Sequence, residues 1–389
     1  MHTATLRHDA QRAASGSRPA ALLSAHTTPP HRHEPIDPVL ACLAQGEAHY
    51  RAGQYEQADR LFSTAVEQAR GRHPGDLLLA ASLHNLAEAR RVLGKYAEAE
   101  SLLREALALR EAELGPSHPY VARTLMNLAL LRAVQWDSAE ALALCARVHE
   151  ISAAGGWQGH PDAGSNLLLA ARVLTDAGEL EQGERLAQAA YETWLQALPV
   201  EEPDWAPLLV LLARLRVRYG EFEHAGDLVR RAITITTQAL GSAHPLVADV
   251  WSGAVEIHVA AGEAVQAVRC CEQALEIRRR VFGETHPEVA AAMNQLGELH
   301  RAAGRYAEAM SCYASALTIA ETTLGAGPDA AVILNNMAIV HACERRLGEA
   351  KRCLLRAYEM EAAYFGSRDA RLAPTLQNLA RLYAAFGRA

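Results

Sequence analysis

The side chains best suited to chemistry recur at a fixed interval. His-Pro occurs at His118-Pro119, His160-Pro161, His244-Pro245 and His286-Pro287, and Pro203 stands alone at the position between them. The five prolines follow one another every 42 residues. Histidine is a metal ligand, but zinc draws its ligands to about 2 Å from a single point. Equivalent residues of successive packed helical units lie on the order of 10 Å apart. The spacing therefore assigns these histidines to linkers that start helices, not to a metal centre. Cys270, Cys312 and Cys353 share one position of three successive units, and Cys270-Cys271 are adjacent. A disulfide needs Cα atoms within about 7 Å, so a stripe at repeat spacing reads as core packing. His26, His31 and His33 lie in an aperiodic stretch that would not hold ligands in place. The chain contains no HExxH, no GxSxG and no GxxxxGK[ST] sequence, since Gly94-Lys95 lacks the upstream glycine. No catalytic residue, cofactor or metal is expected.

The elements that carry these residues are helix pairs. Glycine marks the middle of most units at Gly94, Gly178, Gly220, Gly262 and Gly304, with Trp136 in the vacant place. Gly115, Gly241, Gly283, Gly325 and Gly366 mark their ends. Small residues keep the same phase at Ala58, Ala99, Ala141, Gly183, Ala225, Ala267, Ala309 and Ala350. Between these markers apolar residues recur at helical spacing, as in Val121, Leu125, Leu128 and Leu131. Pro119 suits a first helical turn, where its missing N–H is not needed. The phase predicts eight helix pairs from residue 38 and a lone helix from Leu372 onward that caps the apolar side of the last unit.

Composition agrees. Only 5% of the residues are aromatic, while small apolar residues abound, which favours close helix packing over a β-sandwich. The net charge of −7 carries no basic stripe, so nucleic acid is not expected as a partner. Seven cysteines without a CxxC pair fit a reducing compartment. No run long and apolar enough to span a membrane occurs, and the first residues lack the apolar centre of a secretory signal. A cytoplasmic protein is expected. Residues 1–37 are rich in Ala, Ser, Pro and His and are expected to be a disordered tail before a repeat array at 38–389.

The unit Asn85-Leu86-Ala87, Gly94-Lys95-Tyr96, Ala99-Glu100, Ala106, Gly115, His118-Pro119 resembles the 42-residue tetratricopeptide repeats of kinesin light chains and their bacterial relatives. The resemblance covers about residues 38–389. It implies an all-α, right-handed α-solenoid whose first helices line a concave groove that binds a peptide or protein. True kinesin light chains carry a heptad coiled coil, and residues 1–37 show no heptads, so no motor role is expected, and the sequence is expected to be the repeat array on its own, without a nucleotide-binding module.

Positions at and around the Asn of Asn-Leu-Ala face the groove in such proteins. In this sequence they are Asn85, Arg123, Asn127, Leu168, Arg172, Leu211, Arg214, Arg218, Asn294, Asn335, Asn336 and Asn378. Asparagine can donate to and accept from a peptide backbone, or it can bond to neighbouring helices and order the stack. Arg123, Arg172, Arg214 and Arg218 among apolar residues suggest a basic, partly apolar floor. Such a floor suits an acidic partner with large apolar side chains, unless these arginines form only a solvated face. The leading reading is a non-catalytic scaffold for a protein or peptide. The alternatives are a regulator that senses a small peptide and an accessory enzyme with a pocket in the irregular middle repeats. Trp136, Trp157, Trp194 and Trp205 gather in those repeats, either packing a bend or meeting a partner.

Overall fold

The computed structural model describes residues 37–72, 77–153, 161–199 and 202–386. The sequence-level boundary of a tail at 1–37 and the metal ligands considered in it fall almost wholly outside that range. The described residues hold 17 α-helices and no strand. They run in consecutive pairs: α1 (Pro38–Arg51) with α2 (Tyr55–Arg70), α3 (Leu77–Val92) with α4 (Tyr96–Leu114), and α5 (Pro119–Val134) with α6 (Ser138–Ala153). Next come α7 (Pro161–Ala177) with α8 (Leu180–Ala197), α9 (Trp205–Arg218) with α10 (Phe222–Leu240), and α11 (Pro245–Ala260) with α12 (Ala264–Phe282). Then α13 (Pro287–Ala302) pairs with α14 (Tyr306–Thr323), α15 (Pro328–Cys343) with α16 (Leu347–Phe365), and α17 (Ala373–Phe386) closes the series. None of these helices is long and apolar enough to cross a membrane. The chain divides into two compact units, one ending at Gly253 and the other beginning at Ala254.

Local chemistry sets the helix ends. Asp37 caps α1, its carboxylate accepting from the Val39 N–H at 2.9 Å. The linker histidines do the same work. The Nδ1 atoms of His118, His244 and His286 accept from the N–H two residues on, at 3.1, 3.2 and 3.1 Å. That geometry fixes the proton on Nε2 and leaves each ring bound to its own helix start. His160 lies outside the described residues. Gly115 ends α4 with φ 84°, a left-handed backbone that a side chain resists.

The small-residue stripe is fully buried. Ala58, Ala99, Ala141, Ala225, Ala267, Ala309 and Ala350 are each 0% exposed. At Gly183, in the same series, even a methyl group would come within 2.4 Å of the Thr175 hydroxyl. Between repeats, an arginine ending one first helix reaches back to the second helix of the preceding pair: Arg90 to Asp59 at 3.1 Å, Arg132 to Glu100, and Arg216 to Glu184 at 3.3 Å. The bond joins the second pair to the first, the third to the second and the fifth to the fourth, while Leu174 stands at the equivalent position of α7.

The tryptophans of the middle repeats pack. Trp194 and Trp205 are each 2% exposed, with ring centroids 5.7 Å apart, and Trp205 Nε1 donates to the Pro199 carbonyl at 2.8 Å. Trp136 is also buried, and Trp157 lies outside the described residues. In the second unit Leu379 and Leu382 of α17 pack against Ala338, Ala350 and Leu354. All seven cysteines are free thiols. Burial pushes Cys145 up to about 12 and Cys270 up to about 11, so neither is a ready thiolate. Cys343 is exposed.

Candidate functional site

First helices carry nearly every buried polar side chain of the first unit, and these fall into two clusters. One is a cleft on α7, α9 and α11. It encloses about 400 Å³, part of it continuous with solvent, and is lined by Arg172, Pro207, Val210, Leu211, Arg214, Leu246, Asp249, Val250 and Gly253. Positions 207, 210, 211 and 214 form one face of α9, and 246, 249, 250 and 253 form the matching face of α11. Gly253 makes room, since a Cβ there would meet Val210 Cγ1 at 2.3 Å. Arg214 pairs with the buried carboxylate of Asp176 at 2.7 Å. The floor expected to be basic therefore holds two arginines beside two aspartates, Asp176 and Asp249, among apolar side chains. Such a cleft offers donors and acceptors together, which is what a peptide backbone requires.

The second cluster lies on α1, α3, α4 and α5. His84 is wholly buried, and its ring contacts Arg110 Nη1 through Nδ1 at 3.4 Å and Asn127 Nδ2 through Nε2 at 3.2 Å. Burial, then the nearby Arg110, Arg123 and Arg91, hold it well below the usual imidazole range, so it is neutral. Asn85 donates to Glu47 at 3.5 Å. Burial pushes the Glu47 carboxyl up to about 7 against the opposing pull of Arg51 and Arg123.

Of the positions read from the sequence, Arg172, Leu211 and Arg214 meet in the cleft, and Asn85, Arg123 and Asn127 meet in the second cluster. Leu168 is packed in the apolar core of the first unit, and Arg218 is exposed at the end of α9. In the second unit the asparagines form ladders between repeats. Asn336 donates to Asn294 at 3.0 Å and to Glu298 at 2.9 Å, while Asn378 donates to Asn335 at 3.2 Å and Asn335 to Thr375 at 2.8 Å. These bonds join neighbouring first helices and use amide groups that a ligand would otherwise engage. Sequence reasoning passed over Asp249, Leu246 and Arg91. The signal was there: 246, 249, 250 and 253 keep helical spacing, as do His84, Glu88 and Arg91, but none coincides with the Asn-Leu-Ala marker.

No group of three or more His, Cys, Asp or Glu side chains among the described residues could hold a metal ion. Stacked helix pairs with a polar first-helix face define a helical-repeat protein of the solenoid class. The tetratricopeptide-repeat family profile matches residues 78–154, 246–322 and 329–389, over half of the chain, and the chain belongs to that family. No curated protein matches it. Among solved structures it is similar to a Rap protein complexed with competence and sporulation factor, at 14% identity over 90% of this chain and 98% of that one, TM-score 0.58. It is also similar to a chain of the APC/C hetero-tetramer Cut9-Hcn1, at 14% identity over 86% of this chain and 55% of that one, TM-score 0.55. Tetratricopeptide-like repeats of a putative kinesin light chain from Podosopora anserina align at 23% identity over 53% of this chain and 98% of that one, TM-score 0.40.

Proposed function

We propose that the chain is a non-catalytic scaffold that binds a peptide or protein segment in the cleft of α7, α9 and α11. The observation that carries this reading is the lining itself. Leu211, Val210, Leu246 and Val250 offer an apolar seat, and Arg172 and Asp249 stand beside it as donor and acceptor. An extended segment can place an apolar side chain between the two helix faces while its backbone N–H and C=O groups meet those two side chains. The chemistry of acid–base or nucleophilic catalysis does not converge there, which favours binding over the enzyme alternative.

The test uses variants that leave the Arg214–Asp176 pair alone. Reversing Arg214 would set a carboxylate against the buried Asp176 and cost about 3–5 kcal/mol, so that change would report on folding. Val210→Trp fills the cleft from a half-buried position, and Arg172→Met removes the donor. A partner captured from the source organism is titrated into each variant. Loss of binding in both, with binding retained by the outer-face variant Arg230→Glu, is the expected result. Undiminished binding to Val210→Trp would contradict the proposal.

A further inference from the structure

Each pair of a stacked array touches its neighbours in sequence, but in the first unit the first pair also meets the start of the sixth. The ring of His244 makes the contact. Its Nδ1 accepts from the Leu246 N–H at 3.2 Å, so its Nε2 carries the proton and donates to the Arg51 carbonyl at the end of α1, 193 residues away. The rings of His118 and His286 lie instead against Tyr120 and Phe282, beside their own linkers, with centroids 5.2 and 4.4 Å apart. A second contact follows further along α11. Asp249 acts electrostatically on the hydroxyl of Tyr50, a buried residue that directly precedes Arg51. Two adjacent residues of α1 therefore meet the start of α11 at two points, and all four residues belong to the first unit. Since α11 also faces α9 across the cleft, the first helices of this unit close into a ring.

The cleft lies at this seam. Asp249 lines it and acts on Tyr50 as well, so the last turn of α1 stands at its rim. The bond from His244 to Arg51 sits at the exposed edge, where water competes for both groups. One such bond contributes little net free energy, so the seam can open without unfolding the pairs beside it. We propose that the contact between the end of α1 and the start of α11 is a gate, which opens to admit an extended segment to the cleft and closes behind it. The proposal rests on the cleft's being the binding site. A closed ring surrounds a bound segment and slows its escape sideways, which an open array does not.

The test separates the two bonds of His244. In His244→Asn the shorter amide still accepts from the Leu246 N–H, as asparagine does at helix starts, but it falls short of the Arg51 carbonyl. His118→Asn is the control, because it makes the same change at the cap of α5, away from the seam. Each is placed in the full chain carrying Val210→Cys, a thiol at a half-buried position in the cleft. The probes are methyl methanethiosulfonate, which is small, and fluorescein-5-maleimide, which is bulky, and peptide mapping reads modification of that cysteine. His244→Asn should speed labelling by the bulky probe roughly two- to tenfold, the span that one hydrogen bond sets, and labelling by the small probe less. Hydrogen–deuterium exchange of the free chain should quicken at 47–54 and 246–253 and stay unchanged in α5. Both effects should be absent in His118→Asn. The proposal is overturned if either effect is missing in His244→Asn, if the small probe gains as much as the bulky one, or if His118→Asn matches it. Failure of the cleft as a binding site reads differently: partner binding then survives Val210→Trp while His244→Asn still speeds the labelling.

Discussion

At two turns a side chain occupies the backbone region that glycine fills in other repeats. Trp136 has φ 64° and Arg345 has φ 59°. Left-handed backbone costs an L-residue roughly 1–2 kcal/mol. Trp136 recovers that cost by burying its ring, but Arg345 is exposed. Arg345→Gly should therefore raise stability by about 0.5–1 kcal/mol after the entropy of glycine is counted, measured by urea unfolding. Glu47 supplies a second residue-scale prediction. Its folded carboxyl titrates at about 7 against an ordinary value of 4.5, so the folded state holds its proton more tightly than the unfolded chain. The stabilisation is complete below pH 4.5 and is lost as the pH rises through about 7. Glu47→Gln should flatten the fall in melting temperature across that window, and an unchanged slope would place the titrating group elsewhere. Residues of this kind were only partly legible in the sequence. The linker histidines could be assigned because His-Pro has a local role at every occurrence. The charge state of Glu47 depends on its burial and on Arg51, Asn85 and Arg123, which lie on the same helix, the next pair and the pair after.

The element scale was the most legible, because each marker answers a steric need within one helix pair. Proline begins a helix, glycine ends one, and a small residue permits close approach. Ala99 and Ala267 are each 0% exposed in the contact between helices. Replacing either by leucine should overpack it and cost roughly 1–3 kcal/mol, whereas the exposed Lys95→Ala should change little. Thermal melts compare the three. Less legible was which turn of a first helix meets a ligand. Asn294 and Asn336 look like peptide-binding amides by their spacing, yet both bond to Glu298, Asn294 from the same helix and Asn336 from the next first helix. Burial pushes the Glu298 carboxyl above its ordinary range, so its bonds to the two amides are made inside the protein. That network requires three side chains from two repeats, and no single repeat displays it.

On the scale of the whole molecule, a stacked array leaves an apolar side at its last pair unless something covers it. Here α17 covers α15 and α16 through Leu379 and Leu382. Deleting residues 370–389 should expose Ala338 and Leu354 and promote association, seen as a rise in light scattering and a lower melting temperature. A monomeric and equally stable truncated chain would show that α17 is not a cap. The repeats, their phase and the lone last helix were all readable from periodicity, while the division at Gly253–Ala254 carries no interruption of the repeat that would announce it. The central claim is that a partner binds the first-helix cleft of the first unit. Hydrogen–deuterium exchange of the full chain, with and without its captured partner, tests it directly. Bound partner should slow exchange in segments covering 166–176 of α7 and 207–214 of α9, and leave α8 and α10 unchanged. Slowed exchange confined to α8 and α10 would contradict the account.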